Sequence, residues 1–441
     1  MMAFKCHHLI IKAKMEKSIY TYLFERAGKF YLYNSETNLF ACINSDLYEA
    51  LYNSEYEKIP PDILNSLIGS KIIKDESQRY DYYHASRIHH FTSINTPESM
   101  SLVIAPTVGC NFACPYCFEG EKDNITMNDK VIDDLILFIN RDKKLKKLYI
   151  TWYGGEPLTV FGKMKTITGR ILQECTAKLV SQSIVTNGYL LTNDVITFMK
   201  ENRFKSIQIT LDGTEEHHNK TRFLKGNHEP TFKRIIENLD RLVANRPKEM
   251  RINIRVNINK KNQDDFAEIS KTIKERYNSS HIHVYPGFIR EVSKDGKRLN
   301  YQSFCYIEKY EFHLKQIKKG MNHSLYPKHQ KKGCMVCRNN SFVVGPSGEL
   351  YKCWNDFNHP EKIIGHIEDN KLSNPTLLSK YLYETTIYND PRCKECLLFP
   401  VCSGSCSWYR YQNLFEGKHF ELCSYLKDKH TLEECLLSFC K

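Results

Sequence analysis

Between residues 110 and 117 the chain reads Cys-Asn-Phe-Ala-Cys-Pro-Tyr-Cys, three thiols on one short loop directly after an apolar run. Thiols set so close together ask for a metal. Iron–sulfur clusters are normally held by four cysteine thiolates, so a loop with three and no near fourth leaves one iron open to another ligand. Such an opening suits chemistry better than storage. A zinc knuckle is the alternative, and it would want a fourth Cys or His at short range. The dozen residues after Cys117 contain neither.

The 17 cysteines of this 441-residue chain would mean a disulfide scaffold in a small secreted protein. Here the first residues lack the apolar core and small-residue cleavage site of a secretory signal, and no run of about 18 apolar residues is long enough for a membrane span. A cytoplasmic location without membrane insertion is expected, and the cysteines read as metal ligands. Eleven of them fall in three groups, at 110–117, 334–353 and 393–423. Cys6, Cys42, Cys175, Cys305, Cys435 and Cys440 are left over as buried or idle thiols.

The net charge of +12 is uneven. Residues 1–95 balance eleven Lys and Arg against eleven Asp and Glu, so the whole excess lies in 96–441. A basic body attracts an acidic peptide or nucleic acid, and Lys-rich solvated helix faces account for it equally well. No arginine-rich motif or nucleic-acid module is present, so a nucleic-acid partner is not expected.

The length suggests two or three domains. In residues 1–95, Phe30 to Tyr33 and Leu39 to Ile43 read as a hairpin around Asn34, Ser35 and Glu36. Ser45 is placed to cap a helix through Leu51. Pro60, Pro61 and Asp62 open a second helix that Gly69 ends, and Ile72 and Ile73 form a short strand. From about residue 100, strand and helix patterns alternate, which argues for a parallel α/β architecture. Six strands are expected at 102–105, 148–153, 183–185, 206–211, 251–257 and 281–285. Five helices are expected between them, at 131–139, 164–177, 194–200, 232–244 and 266–277. In such barrels the active site gathers at the carboxyl ends of the strands. Cys110 to Cys117, Gly154 to Pro157, Thr186 to Gly188, and Asp212 with Gly213 each follow one of the first four strands.

The cysteine loop, with Phe112, Pro115, Tyr116 and Phe118 around its thiols, resembles the cluster loop of the radical S-adenosylmethionine (radical SAM) enzymes. Gly154-Gly155-Glu156-Pro157 resembles that family's GGEP motif, whose backbone and Glu meet the methionyl amino group of SAM. The resemblance implies an open, partial (β/α)6 barrel over residues 96–300. It further implies a four-iron (4Fe–4S) cluster on Cys110, Cys114 and Cys117 that chelates SAM and cleaves it to a 5′-deoxyadenosyl radical, with Tyr116 and Phe118 beside the cofactor. Leu211 to Arg222 is similar to an LDG…HD…R segment of peptide-modifying members, with Asn219 in place of the usual Asp. By that likeness Arg222 pairs with the SAM carboxylate, and Asn187 or Thr210 bonds its ribose or carboxylate. The first 95 residues resemble in pattern the winged-helix-like element that binds the leader of a precursor peptide; a stabilising cap on the barrel is the equal alternative.

Beyond residue 300 the cysteine order is Cys337, ten residues, Gly348, four residues, Cys353, and then Cys393, Cys396, Cys402, Cys406 and Cys423 with gaps of two, five, three and sixteen. This order resembles the SPASM domain, here 301–441, which carries two auxiliary four-iron clusters. The family pattern implies Cys337, Cys353 and Cys406 for the first, with Cys334 the candidate to complete it, and Cys393, Cys396, Cys402 and Cys423 for the second. A pair of zinc sites is the alternative.

The resemblance therefore implies a radical SAM/SPASM peptide maturase. It would take three clusters, SAM, a ribosomal precursor peptide and a reductant such as flavodoxin or ferredoxin. Sulfatase-maturing members of the family carry a catalytic Asp directly after the cysteine corresponding to Cys353, where this chain has Trp354, with Asp356 two further on. Thioether or other side-chain crosslinking thus ranks above formylglycine formation, with Asp356 kept as a candidate base. An iron–sulfur or zinc binding module without turnover is the non-enzymatic alternative.

Overall fold

The computed structural model describes residues 15–75, 81–117, 124–289, 304–321, 324–369 and 371–440. The first strand, Met15–Lys17 (β1), is followed by Thr21–Arg26 (β2), Lys29–Asn34 (β3) and Leu39–Ile43 (β4), then the helices Ser45–Tyr52 (α1) and Pro61–Gly69 (α2), the strand Ile73–Asp75 (β5) and the helix Tyr82–Ser93 (α3). The expected hairpin is β3 and β4, with Asn34 opposite Leu39, and β2 adds a third antiparallel strand beside β3. Helix α1 is capped one residue earlier than Ser45, by Asn44. Its side chain accepts from the Leu47 N–H while Ser45 is already helical. Alternation along the strands splits the sheet. Leu32 packs on the Leu51 and Ile73 side, while Phe24 and Tyr33 face Leu432 and Leu436 near the carboxyl end.

The central sheet begins at Ser99–Ile104 (β6) and runs through Lys147–Trp152 (β7), Lys178–Thr186 (β8), Phe204–Leu211 (β9), Arg251–Ile258 (β10) and Ile282–Phe288 (β11), every neighbouring pair parallel. Helices Asp129–Arg141 (α4), Phe161–Glu174 (α5), Asn193–Glu201 (α6), Glu215–Thr221 (α7), Phe232–Asn245 (α8) and Asp265–Tyr277 (α9) connect them. All six expected strands and five expected helices are present, and α7 is an additional short helix. Each strand divides its side chains by turn. Ile207, Ile209, Leu211, Ile252, Ile254 and Val256 are buried in the main core, whereas Gln208, Thr210, Arg255 and Asn257 face the cavity on the other side.

After helix Tyr306–Lys318 (α10), strand Ser341–Val344 (β12) joins the edge of this sheet, parallel to β6, with Ser341 beside Ser101. Strands Glu349–Tyr351 (β13) and Gly365–His366 (β14) extend it antiparallel, giving nine strands in the order β11-β10-β9-β8-β7-β6-β12-β13-β14. The short helices Pro375–Ser379 (α11) and Pro391–Lys394 (α12) and the longer Ser407–Phe415 (α13) and Lys429–Leu437 (α14) complete the fold. Tyr22 and Arg26 of β2 reach Glu433 of α14 at 2.7 and 3.2 Å, so the amino-terminal sheet rests on the last helix. Among the described residues no helix is long and apolar enough to cross a membrane.

Candidate active site

Cys110, Cys114 and Cys117 follow β6 and line a cavity of about 320 Å³ at the carboxyl ends of the parallel strands. Gly154, Gly155 and Glu156 enter it after β7, Asn187 after β8, Thr210 from β9 and Arg222 after α7. Tyr116 lines it as well. Pro157 is buried behind it as the first residue of a single tight helical turn, and Phe118 lies outside the described residues.

The two glycines clamp the cysteine loop. A Cβ on Gly154 would lie 2.4 Å from the Thr107 carbonyl oxygen, and one on Gly155 2.1 Å from that of Gly109. Gly155 and Glu156 also donate their N–H groups to those same carbonyls, at 3.2 and 2.9 Å. The close backbone approach that requires glycine here is thus toward the loop itself.

Glu156 is buried and accepts three hydrogen bonds. Its Oε1 accepts from the Leu158 N–H at 3.1 Å and the Thr186 hydroxyl at 2.7 Å, and its Oε2 from the Asn187 N–H at 2.7 Å. Burial pushes its carboxyl above the usual range, and the three donors oppose the shift. The carboxylate therefore latches the end of β7 to the end of β8. Asn187 carries the latch onward by donating its Nδ2 to Asn111 Oδ1, at 2.8 Å, inside the cysteine loop.

A second network crosses the cavity. The Tyr116 hydroxyl donates to Asp212 Oδ2 at 2.6 Å and accepts from Arg222 Nη1 at 3.0 Å and Asn257 Nδ2 at 3.2 Å. Arg222 lies over the Phe112 ring, 5.4 Å from its centre. Buried His218 accepts the Asp212 N–H at Nδ1, 3.3 Å away, and its Nε2 lies 3.0 Å from the Thr231 hydroxyl, which in turn donates to the Arg222 carbonyl. Asn219 accepts the N–H groups of Thr231 and Phe232, both at 3.1 Å, and so caps α8. An Asp would accept the same pair, so the exchange of Asp for Asn at 219 costs the scaffold nothing.

Asn257 and Arg255 line the cavity as well and were not singled out in the sequence. Their signal was a polar residue at alternate positions of an otherwise aliphatic strand, Arg-Val-Asn within 251–258. Trp354 and Asn355 also line the cavity, with Trp354 against Tyr153 at 4.8 Å between ring centres. Asp356, the candidate base, does not line it. It is buried near Tyr381, whose hydroxyl is pushed above the usual tyrosine range by burial first and by the Asp356 charge second.

In the carboxyl-terminal segment Cys334 and Cys337 flank a single tight turn, with the Cys337 N–H donating to the Cys334 carbonyl at 3.1 Å, and the thiols of Cys337 and Cys353 are close enough to act on Cys334 electrostatically. The Cys337 Sγ lies 3.6 Å from Ser407 Oγ, the residue after Cys406. Cys393, Cys396, Cys402 and Cys423 form a second group, with Cys396 sensing Cys402 and Cys423, and Cys393 sensing Cys396. Beside the second group, buried Arg410 donates to the Gly404 carbonyl at 2.8 Å, Asp390 Oδ2 at 3.0 Å and Cys393 Sγ at 3.9 Å. Lys352 is wholly buried and donates to the carbonyls of Arg338, Asn339 and Ser341. Among the described residues no three His, Cys, Asp or Glu side chains are arranged to hold a single metal ion.

The loop of three thiols fits a cluster with one open iron, and its surroundings fit an anionic cofactor group. Arg222, which lines this cavity, and Asn111, in the cysteine loop, each keep a buried donor, Nε and Nδ2, without a protein acceptor.

Residues 104–273 match the family model of the Radical SAM superfamily. The barrel of this chain is thus a radical SAM domain. The chain is 26% identical over 361 residues to the cysteine-type anaerobic sulfatase-maturating enzyme of Clostridium novyi, a match covering 73% of this chain and 91% of that one. Its fold is that of anSMEcpe, solved with AdoMet and the Cp18Cys peptide, at a TM-score of 0.57 and 19% identity over 77% of this chain and 97% of that one. Streptococcus suis SuiB bound to its precursor peptide SuiA is similar over 93% of this chain and 99% of that one, at a TM-score of 0.51 and 14% identity.

Proposed function

We propose that this enzyme modifies a ribosomally made peptide by joining side chains through a thioether or other crosslink. The observation that carries this reading is at the mouth of the auxiliary segment. Directly after Cys353 the cavity is lined by Trp354 and Asn355, while the next carboxylate in the chain, Asp356, is buried near Tyr381. A wall without a free base suits bond formation between substrate groups better than oxidation that needs a protein carboxylate to take a proton.

In this reading Cys110, Cys114 and Cys117 hold the SAM-binding cluster, and Gly154, Gly155 and Glu156 fix that loop. Arg222, with Asn187 and Thr210, holds the polar groups of SAM, and Tyr116 sets the position of Arg222. Cys334, Cys337, Cys353 and Cys406 hold one auxiliary cluster, and Cys393, Cys396, Cys402 and Cys423 the other. Bound there, the cluster and SAM supply a 5′-deoxyadenosyl radical, and the auxiliary clusters an acceptor for the second electron. The protein's task is to hold substrate in line and exclude water. Tyr153, Trp354 and Phe288 supply the apolar wall for that.

Residues 1–95 serve as the peptide-recognition or cap unit, 96–300 as the barrel and 301–441 as the auxiliary-cluster unit. Strand β4 supports recognition, since it is the edge of its three-stranded sheet and an extended peptide adds to such an edge. A flavodoxin or ferredoxin supplies electrons. Formylglycine formation is the second reading, favoured by the likeness to the Clostridium novyi enzyme.

The test combines iron and sulfide counts on anaerobically purified protein with 5′-deoxyadenosine formation and mass spectrometry of the peptide encoded beside the gene. Loss of hydrogen from the peptide without hydrazide-reactive aldehyde supports crosslinking. An aldehyde at Cys or Ser overturns it in favour of formylglycine. Cys334→Ala is expected to lose iron from one auxiliary cluster.

A further inference from the structure

Helix α3 belongs to the amino-terminal unit, yet one face of it is sunk into the cysteine-rich segment. The Tyr83 hydroxyl donates to the Tyr388 carbonyl at 2.8 Å, Ser86 Oγ lies 2.6 Å from the Tyr388 hydroxyl, and the His90 ring packs on the Tyr388 ring at 5.0 Å. Positions 83, 86 and 90 share one side of a helix, so the contact is built by periodicity. His90 is 6% exposed, and its Nε2 is buried without a hydrogen-bond partner.

The surroundings of that nitrogen are specific. The ring borders a small gap lined also by Gly333, Cys337, Gly404 and Ser407. One point, where a Cβ on Gly333 would sit, lies 3.3 Å from His90 Cε1 and 3.3 Å from Cys337 Sγ. Gly333 has a φ of +77°, a conformation that glycine adopts without cost, and its missing side chain leaves the space between the imidazole and the thiol open. A histidine ring keeps at least one N–H to give in either of its protonation states. A buried donor wants an acceptor, and the acceptors that a cluster ligated by Cys337 through iron would bring beside it are sulfurs.

We propose that His90 donates its Nε2–H to a sulfur of the cluster held by Cys334, Cys337, Cys353 and Cys406, so that the amino-terminal unit tunes the potential of the first auxiliary cluster. The proposal rests on the auxiliary-cluster reading given above. Hydrogen bonds to cluster sulfurs are among the factors that set reduction potential. A donor stabilises the reduced, more negative state, so removing it lowers the potential.

The test is an EPR-monitored redox titration of full-length, anaerobically reconstituted protein carrying Cys110→Ala, Cys114→Ala and Cys117→Ala, which leaves the auxiliary signals alone. Adding His90→Phe keeps the ring and removes the N–H. At a fixed potential it is expected to shift the oxidised-to-reduced ratio of one auxiliary cluster at least tenfold toward oxidised, which is about 59 mV for one electron, and to leave the other unmoved. His90→Gln, which retains a donor, is expected to shift less.

Unchanged potentials at full iron content would overturn the proposal. If His90→Phe loses iron, the question passes to otherwise unaltered protein labelled with ¹⁵N-histidine, in which a weak ¹⁵N coupling to one reduced auxiliary cluster is expected. Its absence overturns the proposal alone. An iron and sulfide count that accounts for only the SAM-binding cluster overturns the auxiliary reading and this inference with it.

Discussion

The Tyr116 hydroxyl donates to buried Asp212 at 2.6 Å, and through that bond the cysteine loop after β6 is tied to the end of β9. Arg222 and Asn257 donate to the same hydroxyl, so one phenol orients the cation of the site.

Tyr116→Phe removes all three bonds and little volume. SAM affinity of the reconstituted enzyme is expected to fall about tenfold, the size of one lost hydrogen bond to a charged group, with iron content unchanged. Equilibrium dialysis with labelled SAM measures it, and wild-type affinity in the variant would show that the network does not position Arg222.

Gly155→Ala introduces a Cβ 2.1 Å from the Gly109 carbonyl oxygen, a clash that only movement of the cysteine loop relieves. The variant is expected to retain auxiliary iron and lose that of the SAM-binding cluster. Full iron, with 5′-deoxyadenosine formed at the wild-type rate, would sink the clamp.

Glu156→Gln keeps shape but turns an amide NH₂ toward either the Asn187 N–H or the donors from Leu158 and Thr186. One buried hydrogen bond becomes a donor-donor contact, at a cost of about 1–3 kcal/mol. A lower Tm and weaker SAM binding together are expected. A drop in SAM binding at unchanged Tm would mean that Glu156 touches the cofactor and does not act as a latch.

His218 is buried and its pKa is driven well below the ordinary histidine value, by burial first and by Arg222 second. Below a pH of about 6.5 the unfolded chain takes up a proton that the folded chain refuses, so the unfolded state binds more protons and stability falls as pH falls. Denaturant unfolding of wild type between pH 7.5 and 5.5 is expected to show this loss, and His218→Gln a shallower slope. Parallel slopes would remove His218 as the source.

The barrel was legible because its strands alternate and its helices repeat, and the motifs after four strands marked the reactive end before any contact was known. What stayed hidden depends on partners distant in the chain. Nothing local in Ser341–Val344 says that it pairs with β6, since Ser101 and Ser341 are 240 positions apart. Glu156 shows the same limit. Its motif flagged it, but its three hydrogen bonds come from Leu158, Thr186 and Asn187, and only the fold reveals that they exhaust most of the carboxylate. The cap at Asn44 instead of Ser45 is a local contest between two good capping residues, settled by where the backbone first turns helical.

The parallel pairing of β12 with β6 has a consequence for how the protein is made. Until residue 344 has left the ribosome, β6 is an edge strand with a row of unanswered N–H and C=O groups, the kind of edge that recruits other chains. The cysteine-rich segment is therefore the barrel's own edge cover, arriving last. Chains stalled or cut between 289 and 341 are expected to aggregate through that edge, and cluster-loading machinery meets a half-closed sheet for most of translation.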